Sequence, residues 1–159
     1  MDQLLRWIET KCEFVLFTGD ADTVRGLEQH DTLGRWAGVA WSHVLALDSY
    51  AHYKREKGFN GSFADFLRSS PAGAVTMSSR AYAPTESDSV LTNARMRQER
   101  IFPVPESVDA SEEALFVAHT RIASYGMVSP RLYFLDTTSN FGKVIVGYIG
   151  PHLRNAGTN

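Results

Sequence analysis

The chain is poor in the features that would name a chemistry outright. Its 159 residues include one cysteine, Cys12, so no intramolecular disulfide can form and no cysteine-based zinc site exists. A single thiol without a bridge suits a reducing compartment, and a cytoplasmic location is expected. No run approaches the ~18 apolar residues of a membrane span, so no membrane partner is expected. The opening Met1-Asp2-Gln3-Leu4-Leu5-Arg6 lacks the basic segment and apolar core of a signal peptide. There is no basic excess. Sixteen Lys and Arg stand against 18 Asp and Glu, a formal charge of −2, which argues against a protein that coats a nucleic-acid backbone unspecifically. No glycine-rich phosphate loop and no nucleophile elbow around Ser78, Ser79 or Ser87 is present. No cofactor and no metal are expected.

What is there reads as one α+β domain over residues 1–159. Residues 1–97 are mainly helical and pack on a C-terminal antiparallel β-meander of three to four strands in 98–153, with a polar tail over 154–159 that is expected to fray. A chain this long buries roughly 70% of its unfolded surface, so its core needs no staple. Leu4, Leu5, Ile8, Cys12, Val15 and Leu16 fall near helical spacing and predict a helix over 4–17. Phe14-Val15-Leu16-Phe17 also fits a short buried strand. Asp20 or Asp22 is placed to cap a short helix through Glu28. Leu33, Ala37, Ala40, Val44, Leu47 and Ala51 alternate spacings of four and three. That stripe predicts the central helix, capped by Asp31 or Thr32 and closed by Lys54, Arg55, Lys57 and then Gly58.

Ser62-Phe63-Ala64-Asp65 has the form of a capping box and opens a short helix stopped by Pro71. Residues 71–84 read as a long loop. Thr85-Glu86-Ser87-Asp88 resembles a second capping box, leading a helix through Arg97. The period then changes from 3.6 to 2. Arg100 to Val104 alternates, but Pro103 and Pro105 confine it to an edge. Strands follow over 115–123, 131–136 and 143–149, joined by short loops that favour antiparallel pairing. Regular hairpins would set Asp136 opposite Lys143, Arg131 opposite Tyr148, His119 opposite Phe134 and Ala123 opposite Pro130. His119, Arg121, Asp136 and Lys143 would then share one face, and Arg131, Tyr133, Tyr148 and His152 the other. Gly147 and Gly150 are positions where a bulge or a close backbone approach would flip a face.

The chemistry concentrates in the last two strands. Arg131 and Tyr133 on one strand, with Tyr148 and His152 on or after the next, can hold a phosphate, donate to it and move a proton. Cleavage of RNA by its own 2′-hydroxyl needs such groups and no metal. Arg-x-Tyr-Phe, followed by Val-x-Gly with a histidine beyond, on a meander behind helices, resembles the RelE/ParE-type ribonuclease toxins. The resemblance covers about residues 115–153. It implies phosphate contact and proton transfer at Arg131, Tyr148 and His152. This chain departs from the family in its length, its acidic balance and its large helical half.

Other groupings have plainer accounts beside them. His119, Arg121, Asp136 and Lys143 form an alternative site, or a hairpin ion pair between Asp136 and Lys143 beside a hydrogen-bonded histidine. Arg95, Arg97 and Arg100 can meet nucleic-acid phosphates, or form a solvated helix flank. Arg25 and His30 have the Arg-x4-His spacing of HEPN-type ribonucleases, or simply end a helix. Asp48 and His52 sit four apart, with His43 nearby, but no third metal ligand is evident. The functional expectation is a metal-independent ribonuclease or other phosphodiester-acting effector of bacterial type, with RNA as partner. Its alternative is a non-catalytic module of a larger protein that binds a protein or a small ligand through the meander or the 71–84 loop. The oligomeric state is not legible.

Overall fold

The structure is a computed structural model and describes residues 1–157. Helices α1 (Asp2–Lys11), α2 (Ala21–Gly26), α3 (Trp36–Glu56) and α4 (Phe63–Ser69) precede the short α5 (Asp88–Thr92) and α6 (Ala94–Gln98). The strands are β1 (Val15–Phe17), β2 (Tyr82–Ala83), β3 (Ile101–Pro103), β4 (Glu113–Leu115), β5 (His119–Arg121), β6 (Arg131–Thr137) and β7 (Lys143–Gly150). The fold is α+β, as its helix-then-strand order predicts.

The antiparallel meander β5-β6-β7 is present, but it forms the centre of a larger mixed sheet ordered β1-β7-β6-β5-β2. Both edges come from the region before residue 98, expected to be mainly helical. The expected helix over 4–17 ends at Lys11, Cys12 turns extended, and Val15–Phe17 pairs parallel to β7. The strand reading wins there because Val15 completes the core while the apolar stripe of α1 is already finished by Leu4 and Ile8. The 71–84 loop is not wholly irregular either, since Tyr82 and Ala83 pair with Thr120 and His119. The first of the three expected meander strands, over 115–123, is divided. Glu113–Leu115 pairs with Ile101–Pro103 as a separate two-stranded sheet, and only His119–Arg121 joins the meander.

The central helix α3 lies across one face of the sheet, burying Ala40, His43, Val44, Leu47, Tyr50 and Ala51. It starts at Trp36 rather than Leu33, because the Asp31 carboxylate reaches forward to accept from the Arg35 and Trp36 amides at 3.0 and 2.7 Å. The capping box of α4 is complete, with Ser62 and Asp65 exchanging backbone and side-chain bonds. The second expected capping box does not form. Ser87 makes no side-chain cap bond, and the helix through Arg97 breaks at Asn93, whose side chain caps α6 instead.

Register decides which residues share a face, and here the regular hairpins are corrected. The β6–β7 ladder shifts by one residue between Tyr133 and Phe134. Tyr133 faces Tyr148, Phe134 faces Val146, and Gly147 is the extra residue. Arg131 therefore lies opposite Gly150, Asp136 opposite Val144, and Thr137 opposite Lys143. On the other side His119 lies opposite Tyr133 and Arg121 opposite Arg131. Ile122, not Ala123, bonds to Pro130 across the hairpin. Thr120, Leu132, Phe134, Val144, Val146 and Ile149 turn toward the helices, where His43 Nδ1 meets Thr120 Oγ1 at 2.8 Å. His119, Tyr133, Ile145 and Tyr148 turn to the opposite face and pack with Phe102, Val104 and Phe116.

Gly147 sits at the bulge because no side chain fits there. A Cβ on it would lie 2.6 Å from the Phe116 ring and 2.8 Å from Phe102 Cβ. Gly147→Ala is expected to cost about 1–3 kcal/mol through overpacking. Gly38→Ala, at an exposed helical position with open space around it, is expected to add about 0.5–1 kcal/mol. Urea unfolding of the two variants checks both signs.

Candidate functional site

Behind the meander, on the face away from α3, polar groups gather around one carboxylate. Glu86 Oε1 accepts from Arg100 Nε at 2.6 Å and from the Tyr133 hydroxyl. His119 Nδ1 stands 3.9 Å from the same oxygen. Arg100 is 1% exposed, and the rest of its guanidinium is matched as well. Nη1 donates to the Met96 carbonyl at 2.8 Å and Nη2 to the Arg154 carbonyl at 3.0 Å. Its carbon lies 5.8 Å from the centre of the Tyr133 ring. His119 stacks on Tyr133 with ring centres 4.8 Å apart, and its Nδ1 lies 3.0 Å from the Val117 carbonyl.

Burial alone would raise the Glu86 carboxyl. The bonds from Tyr133 and Arg100, with the charge of Arg100, bring it below the usual carboxylate range. Burial and the hydrogen bond to Glu86 raise the Tyr133 hydroxyl, and burial lowers His119. This is an arrangement for holding structure. Among the described residues every buried side-chain nitrogen and oxygen has a hydrogen-bond partner, and here Arg100 is paired with Glu86, as a low-dielectric interior demands.

The C-terminal segment is held by this same group. Arg154 accepts from Arg100 through its carbonyl, donates its amide to Glu99 at 3.2 Å, and pairs its Nε with Glu99 at 2.7 Å. Arg154, the first residue of the expected polar tail, is thus bonded into this group. Thr158 and Asn159 lie outside the described residues. His152 is fixed by its amide, which donates to the Val128 carbonyl at 2.9 Å. Between this segment and the β5–β6 loop lies an open cavity of about 460 Å³, lined by Gly126, Met127, Ser129, Arg131, His152, Arg154 and Asn155.

Of the four expected catalytic side chains, two line the cavity: Arg131 and His152. All three hydrogen bonds of Arg131 among the described residues leave from Nη1, to the Ala123, Ser129 and Pro130 carbonyls. They close the loop and hold the guanidinium at the cavity wall. Burial lowers His152, and the neighbouring Arg131 lowers it further, so the imidazole is neutral near pH 7. Tyr133 is fully buried and donates to Glu86. Tyr148 donates to the Pro151 carbonyl at 2.7 Å, and burial pushes its hydroxyl up to about 12. Neither tyrosine lines the cavity.

The alternative grouping is split by the sheet. His119 and Arg121 face the same side as Arg131. Asp136 faces α3, where it accepts from Tyr50 at 2.6 Å and from Thr138, and lies 3.6 Å from Lys54 Nζ. Its ion-pair partner is thus Lys54 and not Lys143, which instead lines a groove with α1 and β1. Arg95 and Arg97 are exposed on α6, but Arg100 is buried and paired, so the three do not form one basic strip. Arg25 bonds Asp2 and Asp22, while His30 is exposed. Asp48 accepts from the Phe14 amide at 2.7 Å. Among the described residues no group of three or more His, Cys, Asp or Glu is placed to hold a metal ion.

One pair escaped the sequence. Arg121 and Arg131 are direct cross-strand neighbours. Like charges so placed are destabilising, and neither forms an ion pair with a carboxylate among the described residues. A strand alternation that put Arg121 and Arg131 on opposite faces hid this. No family model matches the chain, and no curated protein and no solved structure matches it.

The Glu86–Arg100 pair has a pH signature. A carboxyl lowered in the folded state binds fewer protons there than when unfolded, so its contribution is full above the unfolded value of 4.5 and is lost as pH falls through the depressed folded value. Glu86→Gln is expected to cost about 3–5 kcal/mol at pH 7, because Arg100 is left buried without its counter-charge. It also flattens the fall in stability below pH 4.5. Denaturant unfolding of both forms between pH 7 and pH 3 checks this.

Proposed function

We propose that the chain is a binding domain for a phosphate-bearing ligand, held in the cavity between the β5–β6 loop and the segment after β7. One observation carries this reading. Arg121 and Arg131 lie side by side, neither forms an ion pair with a carboxylate among the described residues, and Arg131 forms the wall of a cavity shared with His152 and Arg154. Two adjacent guanidinium groups repel one another unless an anion comes between or beside them. The planar fork of arginine matches phosphate oxygens better than a point charge does. His152 adds a ring that gains a proton more readily once an anion is near.

A second reading is metal-independent cleavage of RNA or another phosphodiester, the activity that the likeness of residues 115–153 to RelE/ParE-type toxins implies. It is favoured by the neutral His152 imidazole, a proton acceptor in the same cavity as Arg131. Cleavage by 2′-hydroxyl attack also needs a proton donor for the leaving oxygen. The Tyr133 and Tyr148 hydroxyls already donate to Glu86 and Pro151, so binding stands ahead of catalysis.

Calorimetry with pyrophosphate at low ionic strength, with chelator present, separates the outcomes. Arg121→Ala and His152→Ala leave the loop bonds of Arg131 intact, and each is expected to weaken binding about tenfold, the worth of one charge-assisted contact. Absence of binding to the unaltered chain rejects the phosphate reading. RNA cleavage that survives chelator and is lost in folded His152→Ala would put the ribonuclease reading first.

A further inference from the structure

The cavity has a flank that its charges do not explain. Tyr125 and Met127 stand on either side of Gly126 in the β5–β6 loop and are 89% and 104% exposed. Among the described residues the other exposed large apolar side chains are Leu33 and Val75, each alone on its segment. An isolated exposed apolar side chain is ordinary. Two on one short loop are not isolated: Gly126 and Met127 line the basic cavity, and Tyr125 is the residue before them. The turn that holds them outward depends on Gly126, whose φ of +87° is open to glycine and strained for other residues.

The site thus offers two kinds of surface next to each other. Arg131 and His152, with Arg121 next to Arg131 on the neighbouring strand, suit an anion. Tyr125 offers a flat ring, stiff about few torsions, and Met127 a polarisable thioether that packs well against aromatic rings. Ser129 and Asn155 also line the wall, with the Ser129 hydroxyl bonded to the Gly126 carbonyl and the Asn155 amide beside His152 Nε2. The volume of about 460 Å³ lies within the range of small-ligand sites, roughly 300–1,000 Å³. Resting on the phosphate-binding reading, we infer that the ligand is a mononucleotide, with its phosphate at Arg131 and His152 and its base stacked on Tyr125 beside Met127. A base stacks on an exposed aromatic whatever its hydrogen-bonding edge, so this surface favours nucleotides over simple phosphates without choosing among bases.

The test separates base from phosphate. Titration calorimetry of the full chain compares AMP with ribose 5-phosphate, which keeps the sugar and phosphate and lacks the base. AMP is expected to bind about tenfold tighter, the usual scale of one stacked base. Tyr125→Ala is expected to bring AMP down to the ribose 5-phosphate value while leaving ribose 5-phosphate unchanged, and Tyr125→Trp to restore the difference. Tyr125 is exposed, so these variants put no strain on the core. Equal affinity for the two compounds, or AMP binding unmoved by Tyr125→Ala, overturns the nucleotide inference and leaves the phosphate reading standing. Failure of the unaltered chain to bind either compound overturns both.

Discussion

The buried pair between Glu86 and Arg100 is the interaction on which the rest of this face depends. A guanidinium that is 1% exposed is tolerable only if its charge is matched and its donors are satisfied. Glu86 supplies the charge, and the Met96 and Arg154 carbonyls take the remaining donors. Each partner comes from a different stretch of chain: the segment before α5, the helix α6, and the residues after β7. Tyr133 ties the same carboxylate to the middle of the sheet. The pair therefore acts as a rivet. It joins four segments, and it fixes the C-terminal segment over the end of β6 where the cavity opens.

A second constraint is the bulge at Gly147. One extra residue in β7 lets Tyr148 stand beside Tyr133, while Val144 and Val146 stay with the helical core. The sheet thus has two apolar faces, one under α3 and one under the β3–β4 hairpin. The polar residues are pushed to the end of the second face, around Arg121, Arg131 and His152. Opposite-face placement of Asp136 follows from the same register and sends it to Tyr50 and Lys54 rather than to Lys143. The chemistry of the site is a consequence of strand register more than of any local motif.

Features encoded over a few neighbouring residues were legible. The stripe from Leu33 to Ala51 announces α3, and Ser62 with Asp65 announces α4, because helical spacing and capping are local physics. Gly147 was visible as a place where a bulge would sit, but whether the ladder slips depends on Phe102 and Phe116 packing against it from another hairpin. Thr85–Asp88 looked like a capping box because its spacing is right. Its glutamate was instead claimed by an arginine 14 residues later, a contact without local signature. β1 was legible only as an alternative to the end of a helix, and β2 was hidden altogether, since strands of three and two residues carry too little alternation to be read. Arg131 and His152 were found as candidates by residue type, whereas the pairing of Arg131 with Arg121 required the true register.

The account is tested most directly by following the histidine side chains by NMR as pH is varied, with and without saturating pyrophosphate. An anion held at Arg131 stabilises the protonated form of His152, so its titration midpoint should rise on adding pyrophosphate. His43, buried under α3 against Thr120 and pushed down to about 4, should not move. A selective rise at His152 supports an anion site at the end of the sheet. A His152 midpoint that stays fixed at saturating pyrophosphate, or one that shifts no more than His43 does, would contradict it.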